Sequence, residues 1–242
     1  RDLHKEYRRQ RQMCIRDSFL GNVDLSSESS EVTNILIDLT KRETLNQSSH
    51  LVNFLINGVV NAGNYDNTSE EWQIQAYSSA APDFIGNFAT IIGSNGKVIR
   101  EGSNGWTCMA GNGRPYPKKG WKNAHDAMPT CNDKEAMKWM SAFMKNEKPK
   151  LDKDGWMWML HGDVGEDNLV AGVLNKEDST PGQWIESGPH LMFIPKDIKS
   201  LDNWNTDFTT GEPYVMFPGT MYAHVMIPVE GYYKYQKESE PK

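Results

Sequence analysis

The chain has 242 residues, with 26 Lys and Arg against 32 Asp and Glu, a formal net charge of −6, 38% hydrophobic and 24% charged residues. This is a globular composition, with enough apolar material for a packed core and enough length for one domain with extensions or two small ones. The acidic balance argues against a general electrostatic grip on nucleic acid or anionic membrane, both of which want a basic face, and no apolar run approaches a membrane span.

In chain order, Arg1 to Ser18 stand apart: six basic and three acidic side chains give this stretch +3 and leave −9 for the other 224 residues. The run Gln12-Met13-Cys14-Ile15-Arg16-Asp17-Ser18 resembles the translated sequencing-adapter read-through found at the ends of unrelated metagenomic predictions; the alternative is a basic arm for an anionic partner. Gly21 to Ser30 is polar and Ser-rich. Residues 1–30 are therefore expected to be a non-native or disordered segment, and the native N-terminus, with any signal peptide, is expected to be missing. A single globular domain is expected over 31–232, with a polar tail over 233–242.

Apolar residues at helical spacing predict two short helices, one through Val32, Ile35, Leu36 and Leu39, the other from Leu51 to Val60. Ser69 followed by Glu70 and Glu71 is an N-cap with acids in the first turn, and predicts a helix to Ala80, stopped by Pro82. Gly93-Ser94-Asn95-Gly96, between Phe88–Ile92 and Lys97–Arg100, predicts a hairpin. Asp133 caps a predicted helix to Asn146, with Met137, Met140, Phe143 and Met144 on one face. Beyond Pro149 the period changes, and Trp156–His161, Pro189–Ile194, Tyr214–Phe217 and Tyr222–Val229 read as strands. The expected class is α+β, with N-terminal helices and a mainly antiparallel β-sheet in the C-terminal two-thirds.

With Cys14 set aside, Cys108 and Cys131 remain, bracketing a stretch rich in Gly, Pro, Lys and Asn. A bridge between them would staple that stretch; two buried free thiols, or a reactive thiol, are the other readings. Walker A, Gly-x-Gly-x-x-Gly, His-Glu-x-x-His and Gly-x-Ser-x-Gly patterns do not occur. What remains is a His and Met pattern. Period two places Met157, Met159 and His161 on one face of a strand, His190 with Met192 on a second, and His224 with Met226 on a third. Imidazole and thioether together suit a copper-type ion, with His161, His190, His224, Met192 and Met226 as candidate ligands; core packing by Met, with each His hydrogen-bonded at a strand end, is the plain alternative. The acids of His161-Gly162-Asp163-Val164-Gly165-Glu166-Asp167-Asn168 read as a solvated turn, or as a source of a carboxylate partner for a histidine.

Several blocks in order, Arg100-Glu101-Gly102-Ser103-Asn104-Gly105-Trp106-Thr107-Cys108, Pro129-Thr130-Cys131, Met159-Leu160-His161-Gly162-Asp163, Gly188-Pro189-His190-Leu191-Met192 and Gly219-Thr220-Met221-Tyr222-Ala223-His224-Val225-Met226-Ile227-Pro228, resemble an uncharacterised family of bacterial proteins met mainly in marine and environmental genomes. The resemblance runs from about Ala80 to Val229, and this chain departs from it by a longer insert, Asn112 to Ala127. It implies an exported, periplasmic or secreted protein and supports the Cys108–Cys131 bridge; it implies no activity. The leading expectation is an exported domain that binds a small-molecule ligand in a pocket lined by His190, His224, Met192, Met226 and Trp106, with a metal ion as a subsidiary version. The rivals are a hydrolase using His190 or His224 as general base with Asp163 as orienter, and a structural or interaction module without a site.

Overall fold

A computed structural model describes residues 66–242; the segment 1–30 and the two helices expected between Val32 and Val60 lie outside the described residues. The first described helix, α1 (Glu70–Ser78), starts where its cap predicts, with the Ser69 hydroxyl accepting from Trp72 N–H and Glu70 and Glu71 in the first turn. A short α2 (Asp83–Gly86) follows Pro82. The expected hairpin is β1 (Thr90–Ile92) with β2 (Val98–Arg100), turning through Gly96 at φ +76°. Its tip is held by α1: the Gln73 side-chain carbonyl accepts from Ser94 N–H at 2.7 Å, and the Tyr77 and Ser94 hydroxyls bond at 2.7 Å.

Next come β3 (Thr107–Ala110), α3 (Ala124–Ala127) and β4 (Pro129–Asn132), so the two cysteines sit on paired strands. Asp133 then caps α4 (Lys134–Met144), accepting from Glu135 N–H at 3.0 Å and Ala136 N–H at 2.8 Å. The remaining strands are β5 (Gly155–Met159), β6 (Glu166–Asp167), β7 (Trp184–Ile185), β8 (His190–Ile194), β9 (Tyr214–Met216) and β10 (His224–Pro228). Strands β6 and β7 form a small separate ribbon; the other eight make one sheet in the order β2-β1-β3-β4-β5-β8-β10-β9. Among the described strands only β1 with β3 runs parallel, and every other pair is antiparallel. The described part of the chain is thus α+β, with a mainly antiparallel sheet.

Period two gives the sheet two different faces. Cys108 and Cys131 are directly opposed across β3 and β4 and form a disulfide, with Cα atoms 4.0 Å apart and a sequence separation of 23. They point toward α1, in a buried cluster with Tyr77, Ile91 and Trp121. On the same face of later strands lie Trp158, then Phe193 and Val225, against Leu201 and Val215. The other face carries Met157, Met159, Met192, Ile194, Met216 and Met226, covered by Ala136, Trp139 and Met140 of α4. Met137, expected on the inward stripe of α4, is only half-buried and Trp139 takes the inward position instead.

Residues 233–242, set apart by composition as a polar tail, dock on β7. Gln236 is buried, accepting from Glu186 N–H at 2.8 Å and donating to Trp184 C=O at 3.1 Å. No helix among the described residues is long and apolar enough to cross a membrane.

Candidate functional site

Between the methionine face and α4 lies a cavity of about 390 Å³. Strand register orders its floor. Met157, Met192 and Met226 oppose one another directly across β5, β8 and β10, so three thioethers form a row perpendicular to the strands. On one side of the row, His190 opposes Met159; on the other, His224 opposes Met216. Directly opposed side chains on one face start about 5 Å apart at Cβ, so each imidazole has a thioether neighbour. Met128, Met140 and Met144 complete the wall, and eight of the twelve methionines of the chain line this one space. Met144 is 70% exposed and marks the mouth. The rim segments Ala110–Gly113 and Gly172–Leu174 are tied together by the Arg114 guanidinium, which donates to Leu174 C=O.

Both cavity histidines are wholly buried and held in the same tautomer. His190 Nδ1–H donates to Gly188 C=O at 2.8 Å, and His224 Nδ1–H to Tyr222 C=O at 2.9 Å. Burial pushes each imidazole pKa down to about 4, so both rings are neutral at physiological pH and Nε2 carries a lone pair rather than a proton. Among the described residues neither Nε2 has a hydrogen-bond partner. Six buried side-chain nitrogen and oxygen atoms of the described residues share that condition, and three of them, His190 Nε2, His224 Nε2 and Trp139 Nε1, belong to residues lining this cavity. The Trp139 ring meets the His224 ring edge to face at 5.2 Å, and Phe217 flanks it at 5.5 Å.

The His190 end is more polar. Asp163 is buried, and its carboxyl accepts from Gly165 N–H at 2.9 Å, from Ser187 N–H at 3.3 Å and from the Ser187 hydroxyl. Ser187 Oγ in turn lies 3.4 Å from His190 Nδ1, so a chain of polar groups runs from Asp163 through Ser187 to the imidazole. Glu166 lines the same cavity. Burial raises both carboxyls above the ordinary carboxylate range, and the charge of Asp163 raises Glu166 further, so the pair retains a proton near neutrality.

The acid-rich loop is therefore not the solvated turn its composition suggests. Asp163, Asp167 and Asn168 are buried, and Asp167 is spent on the backbone, accepting from Leu169 N–H at 2.7 Å, Val170 N–H at 2.8 Å and Thr180 N–H at 2.5 Å. Nor does Asp163 orient a histidine directly; Ser187 stands between them.

Of the candidate residues, His190, His224, Met192 and Met226 come together on the cavity wall, and Asp163 joins them there. His161 and Trp106 do not. Strand β5 ends at Met159, and the chain turns at Gly162, with φ +67°, so period two fails before His161 is reached. Its Nε2 instead bonds the Ser79 hydroxyl at 2.7 Å, and its carbonyl accepts from His125 Nδ1 at 2.8 Å. The three imidazoles share no site, and among the described residues no group of three or more His, Cys, Asp and Glu is placed to hold a metal ion. Trp106 shares the parity of Cys108 and packs on the disulfide face, across the sheet from the cavity. Sequence reasoning missed Trp139, Met216 and Ser187. Met216 has the parity of a core strand position and was open to a period-two reading; Ser187 carries no local signal, since its role comes from Asp163, 24 residues away.

Fold and site together define an α+β protein with a buried His- and Met-walled cavity behind its sheet. No family model, no curated protein and no solved structure matches the chain.

Proposed function

We propose that the protein binds a small ligand in this cavity, anchoring it on Nε2 of His190 and His224 among methionine thioethers. The observation that carries this reading is the pair of buried, unpartnered imidazole lone pairs on the wall of one cavity. A buried acceptor without a partner costs about 1–3 kcal/mol, and a ligand that offers a donor or an electron-pair acceptor removes that cost on binding. The volume, about 390 Å³, suits a small molecule or ion rather than a polymer. The protein works in an oxidising compartment outside the cytoplasm; the Cys108–Cys131 disulfide supports this, as does the resemblance to exported bacterial proteins.

The test is thermal unfolding of untagged protein against a panel of small aromatic and aliphatic compounds bearing N–H or O–H donors, together with Cu(I), Ag(I), Zn(II) and Ca(II). At least one member is expected to raise the midpoint in the wild type but not in His190→Phe/His224→Phe. A panel without effect, or an effect that survives the double substitution, overturns the reading.

A second reading is favoured by the Asp163–Ser187–His190 chain: a hydrolase in which His190 Nε2 accepts a proton from water while Ser187, itself held by Asp163, positions the ring. Hydrolysis of activated esters that disappears in His190→Gln and weakens in Ser187→Ala would favour it over binding alone.

A further inference from the structure

The two ends of the cavity differ in chemistry. At the His190 end, hydroxyl and carboxyl groups approach the ring through Ser187 and Asp163. At the His224 end the neighbours are soft or aromatic: Met216 directly opposite on β9, Met226 two residues on along β10 and on the same face, and the rings of Trp139 and Phe217. We infer that the His224 end is a site for monovalent copper, with His224 Nε2 and the thioethers of Met216 and Met226 as donors. This rests on the reading of the cavity as a binding site and names the class of ligand.

Three observations converge on a soft cation. The first is donor type: imidazole serves Cu(I) and Zn(II) alike, but two thioether sulfurs beside it favour soft Cu(I) over Zn(II), Ca(II) or Mg(II), which want thiolate, carboxylate or carbonyl ligands to complete a site. Among the described residues the hard and borderline alternative is missing, since no group of three or more His, Cys, Asp and Glu is placed to hold a metal ion. The second is preparation of the ring. A metal-binding histidine typically donates its other N–H to a carbonyl or carboxylate, which fixes the tautomer and aims the lone pair. His224 does this through Nδ1–H to Tyr222 C=O at 2.9 Å, leaving Nε2 bare and buried among the described residues. The third is enclosure: the rings of Trp139 and Phe217 stand 5.2 Å and 5.5 Å from the imidazole, whose residue is wholly buried, so water does not compete for its lone pair. Met144, exposed at the mouth, offers a first thioether to an entering ion.

The experiment uses the untagged, metal-free 242-residue chain under anaerobic conditions. Cu(I) is titrated in competition with a chromogenic Cu(I) chelator, and Ag(I), a redox-inert stand-in, is titrated into protein carrying ¹³C-methyl methionine. One Cu(I) per chain is expected to leave the chelator, and the methyl signals of Met216 and Met226 to shift with Ag(I), while those of Met109 and Met137, outside the cavity lining, stay put. The volume-conserving pair Met216→Leu/Met226→Leu is expected to weaken Cu(I) binding at least about tenfold while keeping the fold. The inference is overturned if the chelator keeps all the copper, if the double variant binds as tightly as the wild type, or if Ag(I) leaves the Met216 and Met226 methyl signals unmoved. If Cu(I) fails while an organic compound still stabilises the protein in a His190- and His224-dependent way, this inference falls and the cavity reading stands; if both fail, both fall.

Discussion

The face of the sheet that carries Ile91, Cys108, Cys131, Phe193 and Val225 is built from branched, aromatic and cross-linked side chains packed against one another and against α1. The opposite face carries Met157, Met159, Met192, Met216 and Met226 with two buried histidines, and leaves about 390 Å³ of space beneath α4. The two faces share strands, and in β8 and β10 alternate residues of one five-residue run serve both. Close packing and a cavity are opposed demands, since unfilled volume in a core lowers stability. A disulfide and stiff side chains on one face let flexible thioethers and unpaired imidazoles stand on the other.

Breaking the stapled face should have the largest effect. Cys108→Ser/Cys131→Ser frees a loop with a 23-residue separation, and is expected to cost about 3 kcal/mol in urea unfolding, with ligand affinity per folded molecule unchanged. Equal loss of stability and affinity would show that the faces are not separable. On the cavity side, Ser187→Ala removes the hydroxyl that donates to buried Asp163 and is expected to cost about 2 kcal/mol, with a change in His190 titration that a purely structural serine would not produce.

The dependence on pH sharpens the same contrast, because the strongly perturbed acids and histidines line the cavity. Glu166, raised to about 8, keeps its proton in the fold where the unfolded chain has lost it. The stability it contributes is complete below its ordinary value of 4.5 and is lost as pH rises through about 8; Asp163, also raised, acts in the same direction. His190 and His224, lowered to about 4, contribute stability that is complete above the ordinary imidazole value of 6.5 and is lost as pH falls through about 4. The opposing slopes largely offset one another in the mildly acidic range, and stability is expected to fall from neutrality toward about pH 8. His224→Phe should tilt the acidic range toward lower stability with rising pH, read from urea midpoints; an unchanged slope would count against a neutral, buried His224.

Smaller still, Asp133→Ala should cost about 1 kcal/mol by leaving two N–H groups at the start of α4 uncapped, and should loosen the cavity roof more than the disulfide face in hydrogen exchange.

The contrast between faces was partly legible in the sequence. Period two in His190-Leu191-Met192 and His224-Val225-Met226 placed those His and Met residues on common faces, because each run is a regular strand from end to end. Caps at Ser69 and Asp133 marked α1 and α4, because capping is local chemistry. The same alternation misled at His161, where the strand had already ended. Strands β3 and β4 were hidden, since Thr107–Ala110 and Pro129–Asn132 are short and carry weak strand signals, and their pairing depends on each other. The burial of Asp163 was invisible for a related reason: its partner Ser187 lies beyond the ribbon that folds back over the loop.

His190 and His224, on the reading proposed above, present bare Nε2 lone pairs to a ligand. Long-range ¹H–¹⁵N spectra of the imidazoles test it directly, recorded with and without the compound or ion that raises the unfolding midpoint. Two neutral rings protonated at Nδ1 are expected, as the bonds to Gly188 and Tyr222 require, with a shift at Nε2 on binding and Nδ1 little changed. Rings protonated at Nε2, or Nε2 signals indifferent to every stabilising ligand, would contradict it.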